Sequence, residues 1–492
     1  MNTNHFSKKR YIVLLIGLLF YLLSSIFYLI GIGDSISYSD VQTLGAIAIV
    51  QFAYTLYSWY YVRGVFFDAY IIFTLVLYVF NLAQPMLEAT GLALEYRRLW
   101  GGGYGTTDEL YYDATYYSLV FVLFFHLGAI TTLRQEKEMV TNIKSRTFDV
   151  DTKALMKSAI FFSVISAPFY IYNLIQEFLI VRVFGYMGLY SEEYTSRSSQ
   201  IVGDLFTPSM MALFCVCLVR NQHVKFLGTL VALLLFLPPL FLGGRSNAMI
   251  IAAILFIIYS TIRTINFRKL LVIGSIGLGL LLIMNIVALT RKSEERSLET
   301  LQAVNEDNEN PIISTIEEMG WSMYPLALQM EIVPSKSDYS YGASFYWALI
   351  SVIPNLGFWD GEHPGKRNDP AEILNKYSQE NYGIGYSMCA GSHHEFGYFG
   401  FVLMFVYGIL FCRIFSNVSP SKVWTKPIQF IFALLFLWFA IKFVRNSLNG
   451  ISRGLLFDVL PIYLMTKLLS TRQRFYDKNK KRFRGLPHSG VI

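Results

Sequence analysis

Apolar runs of about 17 residues or more follow one another along this chain, and one long polar interval, residues 290–396, breaks the series. At about 1.5 Å of rise per residue, each run bridges a hydrocarbon layer about 30 Å thick. The runs predict spans over 11–32, 41–62, 65–86, 114–133, 154–175, 203–219, 226–242, 246–262, 270–289, 397–415, 427–443 and 454–470, about twelve in all. The first reads as a retained span: it follows Lys8-Lys9-Arg10, exceeds the length of a leader's apolar core and lacks a small-residue cleavage site. The expected fold is therefore all-α and polytopic, with four parts. Residues 1–289 form an N-terminal bundle of about nine spans, 290–396 a large loop between the ninth and tenth spans, 397–470 three C-terminal spans and 471–492 a basic tail.

Lys and Arg set the orientation, because cytoplasmic loops carry their excess. Lys8 to Arg10, Arg134 to Lys153, Arg220 to Lys225, Arg263 to Lys269, Arg413 to Lys426 and Arg472 to Arg484 all fall on one side of the predicted spans. Both termini are then cytoplasmic, and the long loop faces outward. With 54% hydrophobic and 15% charged residues, the chain sits outside the balance of soluble proteins. The net charge of +7 is concentrated in the tail, at Lys478, Lys480, Lys481, Arg482 and Arg484, and reads as anchoring against anionic lipid rather than as a nucleic-acid surface. Residues 176–202 mix charged and apolar positions, as an amphipathic piece on the membrane surface would. Within the long loop, Ser314 with Glu317 has the spacing of a capping box, and Asp369-Pro370-Ala371-Glu372 reads as N-cap, N1 proline and N3 acid.

Candidate chemistry gathers where the long loop re-enters the apolar series. His393, His394 and Glu395 stand at that mouth, and an imidazole or carboxylate there can take a hydroxyl proton. The structural alternative is a polar helix entrance, with Ser392 as N-cap and Glu395 at N3. Arg245 in a tight outer turn, and Arg445 and Arg453 between the last two spans, suit an anion bearing phosphate oxygens; snorkelling to headgroups or pairing with Asp458 or a loop acid is the alternative. Trp359, Asp360, Glu362, His363 and Arg367 mix ring faces with polar side chains, as glycan sites do and as solvated turns also do. Asp149-Val150-Asp151 reads as a helix start rather than a metal motif. Cysteine and histidine spacings match no zinc site, and no nucleotide-binding loop is present in the sequence.

Three segments, Gly243-Gly244-Arg245-Ser246, Ser387 to Gly400 and Arg445 to Arg453, placed around a large outer loop, resemble the Wzy-type O-antigen and capsular polysaccharide repeat-unit polymerases. His393-His394-Glu395-Phe396-Gly397 departs from the acid and Asn-Phe-Gly arrangement of many members, which leaves open whether His393, His394 or Glu395 is the base. The resemblance implies a GT-C-like fold and a metal-independent glycosyltransferase in the bacterial cytoplasmic membrane, without a cofactor. Donor and acceptor would be undecaprenyl-pyrophosphate-linked oligosaccharides, membrane lipid the surrounding partner and a chain-length regulator a further one. An O-antigen ligase would share this donor logic. A flippase or other transporter would instead call for charges deep within spans or internal symmetry, and a scaffold would leave the outer arginines unexplained.

Overall fold

A computed structural model describes residues 3–33, 36–65, 68–93, 105–133, 148–184, 198–242, 245–262, 310–354, 359–378 and 384–484, with a few isolated positions besides. Among the described residues the regular structure is entirely helical. The predicted ninth span at 270–289 and the polar stretch 291–309 lie outside them, as does the side chain of Arg245. The other predicted spans each coincide with a helix or helix pair: α1 (Thr3–Gly33), α2 (Tyr38–Arg63), α3 (Ala69–Thr90), α4 (Asp108–Thr132), α5 (Phe148–Phe184), α6 (Ser198–Asp204) with α7 (Phe206–Arg220), α8 (Val224–Val231) with α9 (Leu237–Leu242), and α10 (Arg245–Ile262). After the long loop come α16 (Met388–Phe396), α17 (Gly400–Phe415), α18 (Pro420–Thr425), α19 (Pro427–Phe443), α20 (Leu448–Gly454) and α21 (Leu460–Arg484).

Eight described helical stretches are long and apolar enough to cross a membrane, and Ala248–Ile262 and Pro427–Phe443 are shorter apolar helices. The protein is a multi-pass α-helical membrane protein. Its outer surface shows why: Leu15, Leu22 and Ile30 of α1 and Val164 and Ile175 of α5 are exposed, an arrangement that costs free energy in water and none in lipid. Helix α2 is long enough to span but falls outside the eight, because it carries Gln51, Thr55 and Ser58. These are buried in the bundle and hydrogen-bonded there: the Gln51 amide nitrogen donates to Tyr78 and to the Leu119 carbonyl at 3.1 Å each, and Ser58 pairs with His126 at 2.8 Å. Hydropathy alone understates such a helix, since its polar groups meet protein rather than lipid.

The basic ends meet at one face of the bundle. Lys9 donates to the Tyr61 carbonyl at the end of α2 and Arg10 to the Leu133 carbonyl beyond α4; Arg220 at the end of α7 pairs with Asp149 at the start of α5 at 3.0 Å. Asp151 receives Ser470 and Arg474 from α21. The Asp149-Val150-Asp151 segment thus serves as an electrostatic clasp within the first turn of α5, not as a cap ahead of it.

At the opposite face, the latter part of the long loop folds back onto the bundle. It forms α11 (Pro311–Gly320), α12 (Tyr324–Ile332), α13 (Ala343–Ile350), α14 (Pro364–Arg367) and α15 (Pro370–Ser378). The expected cap at Asp369 forms, its carboxylate accepting from the Ala371 amide at 3.1 Å. The one expected at Ser314 does not: Asn310 caps α11, because Pro311 suits the first helical position and moves the start ahead of Ser314. Helix α5 runs on to Phe184, through the first part of the segment expected to lie on the surface, since no glycine or internal proline interrupts it between Ala167-Pro168 and Gly185. Helix α17 packs along α4 so closely that a Cβ on Gly408 would stand 1.9 Å from the Phe125 carbonyl oxygen and one on Gly128 2.1 Å from that of Phe405. Small residues at such crossings are how helices associate in lipid.

Candidate functional site

The re-entry helix begins at Met388, earlier than the expected 397. Ser387 is its N-cap, accepting from the Ala390 amide at 3.0 Å, and Ser392 lies inside the helix, donating to the Met388 carbonyl at 3.0 Å. Glu395 is therefore not held by a capping box. Helix α16 ends where Gly397 takes φ +55° and ψ −131°, a conformation for which glycine is suited; a turn of 3₁₀ helix then leads into α17. His393, His394 and Glu395 occupy the last turn of α16 and are buried, at 3%, 6% and 3% exposure.

Consecutive helical residues point about 100° apart, so these three side chains enter three environments. Glu395 faces the segment before α13: its carboxylate accepts from the Gly342 amide at 2.5 Å, with Ser344 beside it. Its backbone carbonyl takes the Tyr341 amide and that of His394 takes the Ser340 amide, both at 3.0 Å, so residues 340–342 seal the end of α16. The carboxylate lines a pocket with Ser344, Tyr386, Gly391, Tyr407 and Leu448. His394 turns to α12, where its Nδ1 meets the Gln329 amide nitrogen at 3.1 Å, and Gln329 in turn accepts from the Tyr386 hydroxyl at 3.3 Å. In this orientation the neutral imidazole carries its proton on Nε2, so His394 holds Gln329 and Tyr386 rather than taking a proton through Nδ1. His393 turns to α4, its ring 5.5 Å from that of Tyr117 and 6.0 Å from that of Tyr339.

Sequence reasoning treated Asp369 as a helix cap and passed over Tyr386, Gln329 and Tyr407. Asp369 is a cap and also a latch: the Ser447 hydroxyl donates to its second oxygen at 3.0 Å, while Asn449 donates to the Gly365 carbonyl at 2.7 Å. The loop is thereby fastened to the turn before α20. Burial, against the opposing pull of these hydrogen bonds, pushes the Asp369 carboxyl up to about 6. Burial first, and then the negative charges of Asp369 and Glu395, push the Tyr386 hydroxyl up, so it remains a donor. Pro370 from the same latch lines the Glu395 pocket. The only sequence sign of this arrangement was the cap spacing at Asp369.

Neither Arg445 nor Arg453 lines that pocket, and the side chain of Arg245 lies outside the described residues. Arg445 is exposed beside the start of α16, its guanidinium carbon 5.9 Å from the centre of the Phe80 ring; the preceding Val444 carbonyl accepts from the Met388 amide. Arg453 is exposed on α20 and interacts electrostatically with Asp204 and Asp458, which also surround Lys442. Asp458 sits on a π-helical turn, Leu455–Val459. Ionisable groups on membrane helices are costly, and in this cluster the opposite charges offset one another, as the alternative of pairing with Asp458 anticipated for Arg453. In the Trp359 segment, the imidazole of His363 is fully used: Nε2 donates to the Ile353 carbonyl at 2.7 Å and Nδ1 accepts from the Gly365 amide at 3.0 Å. The Trp359 ring packs on it at 4.5 Å, Glu362 faces Lys366 and Lys376 at 3.5 and 3.6 Å, and Asp360 and Arg367 are exposed.

Among the described residues, no group of three His, Cys, Asp or Glu side chains is arranged to hold a metal ion. A family model described as O-antigen polysaccharide polymerase Wzy matches residues 11–473. No curated protein and no solved structure matches the chain.

Proposed function

The chain belongs to the O-antigen polysaccharide polymerase Wzy family, and from that premise we propose that it lengthens a surface glycan on the outer face of the bacterial cytoplasmic membrane, with Glu395 as the general base. The donor is the growing chain on undecaprenyl pyrophosphate and the acceptor a new lipid-linked repeat unit. An acceptor hydroxyl oxygen bonds to the donor's anomeric carbon, its proton passes to Glu395, and the bond from that carbon to the pyrophosphate breaks with its electron pair. Pyrophosphate is a good leaving group, so a base and cations for the departing charge supply what the step needs. Arg453, Lys442, Arg445 and Arg245 are the cations assigned to that charge. Twelve spans in a GT-C-like arrangement, with both termini cytoplasmic, complete the reading, and a chain-length regulator is a further partner.

The observation that carries this assignment is the Glu395 carboxylate, buried at the break between α16 and α17 and opening onto a pocket with Tyr386 and Tyr407. Of the three adjacent candidates, Glu395 is the one that lines this pocket, its carboxylate held by Gly342 and Ser344, whereas the His394 Nδ1 is engaged by Gln329. The test is a gel of surface polysaccharide from cells lacking the gene and complemented with wild type, Glu395→Ala or Arg453→Ala. A single repeat unit on the lipid core in the deletion strain, turned into a ladder by wild type alone, supports polymerisation at this site. Loss of all attached glycan, with long polymer left on its lipid carrier, would mean ligation; an unchanged ladder in the deletion strain would mean transport or scaffolding.

A further inference from the structure

On the side of α16 away from Glu395, a row of tyrosines joins three elements that are distant in sequence. The Tyr117 ring of α4 and the Tyr339 ring of the loop both contact His393, and Tyr339 meets Tyr341 at 5.9 Å. The row ends at Asp113, one helical turn before Tyr117, whose carboxylate accepts from the Tyr28 hydroxyl at 2.8 Å. Packing alone does not explain three of its properties. Tyr341 is 72% exposed, although an apolar ring gains nothing there by facing water. It holds φ +48°, a strained conformation for a residue with a side chain, while its backbone N–H donates a hydrogen bond to the Glu395 carbonyl. His393 is buried, yet among the described residues no group hydrogen-bonds its Nδ1, and a buried polar atom left so costs about 1–3 kcal/mol.

We propose that Asp113, Tyr117, His393, Tyr339 and Tyr341 form a saccharide subsite, separate from the Glu395 pocket, that holds sugar residues of one substrate beyond the reacting unit. Ring faces take the apolar CH faces of a pyranose, while the Asp113 carboxylate and the His393 imidazole take its hydroxyls. Two glycan substrates must lie on either side of the reacting carbon, and α16 presents Glu395 to one side and His393 to the other. Because residues 340–342 bond the end of α16, sugar contacts at Tyr341 and base positioning at Glu395 share one short segment. This inference rests on the polymerase reading for its ligand class.

The test uses the full chain in lipid nanodiscs and, as probe, the free single repeat-unit oligosaccharide released by mild acid from the lipid carrier of cells lacking the chain. Saturation-transfer NMR measures binding. Wild type is expected to bind, Tyr341→Ala and Tyr117→Ala to bind about tenfold more weakly, and Leu410→Ala, on the exposed face of α17, to bind as wild type does. Tyr339→Phe keeps the ring that packs on Gly397 and reads out the hydroxyl alone. Binding by Tyr341→Ala and Tyr117→Ala equal to wild type, or no binding by wild type, would overturn the proposal. If the tyrosine variants lose binding while Glu395→Gln still polymerises, the subsite stands and the assignment of Glu395 fails.

Discussion

At the level of single residues, the proposed site rests on one carboxylate and on the backbone that holds it. Glu395→Gln keeps the shape of the side chain and an acceptor for the Gly342 amide but removes the base; the expected loss of polymerisation is about 100-fold or more, read from the rate of ladder formation. His394→Ala releases Gln329 and Tyr386 without removing the base, so its loss should be smaller. Gly397→Ala tests the break itself. A Cβ there meets a positive φ of 55° and the Tyr339 ring at 2.8 Å, and should lower stability by about 1–3 kcal/mol, measured as a lower melting temperature in detergent. Asp369 supplies a pH dependence. Its native carboxyl titrates at about 6 against 3.8 unfolded, so the native state binds the extra proton between those values. Its contribution is therefore full below the lower value and lost as pH rises through the upper one. Asp369→Asn should flatten that part of the melting-temperature profile.

At the level of elements, the apolar runs were legible because lipid requires them to be long and continuous, and the expected spans with described residues coincide with helices. The Asp369 cap was legible because cap, proline and acid fall within four successive residues. The divergence of His393, His394 and Glu395 was not legible, since it depends on a helix capped at Ser387 and starting at Met388, and a capping-box spacing at Ser392 offered an equally good local start. Nor were their partners: Gly342 and Gln329 reach α16 across 53 and 65 residues of chain, a separation on which local pattern is silent. Packing between α4 and α17 gives a sharper expectation. Gly408→Leu would drive a side chain into the Phe125 carbonyl, 1.9 Å from where its Cβ must go. Folded protein recovered from membranes, followed by size-exclusion fluorescence, should fall steeply, whereas Leu410→Ala on the exposed face of the same helix should leave it near wild type.

Across the whole molecule, the contacts of Lys9, Arg10, Arg220 and Arg474 collect the basic helix ends at one face, while the Glu395 pocket, the Asp369 latch and the tyrosine row lie toward the other. Under the proposed reading, with the basic ends cytoplasmic, this polarity puts the glycan chemistry on the side away from the cytoplasm. A membrane-impermeant thiol reagent applied to intact spheroplasts should label a cysteine at Asp360 and spare one at Tyr476, both exposed positions. The reverse pattern would put the site on the wrong side. The central claim is that this chain joins glycans with Glu395 as base, and the direct measurement is polymer formation by the purified full chain in nanodiscs supplied with lipid-linked repeat units. Wild type should yield a ladder of products and Glu395→Gln almost none, with both proteins equally folded; a ladder formed by Glu395→Gln at the wild-type rate would contradict the account.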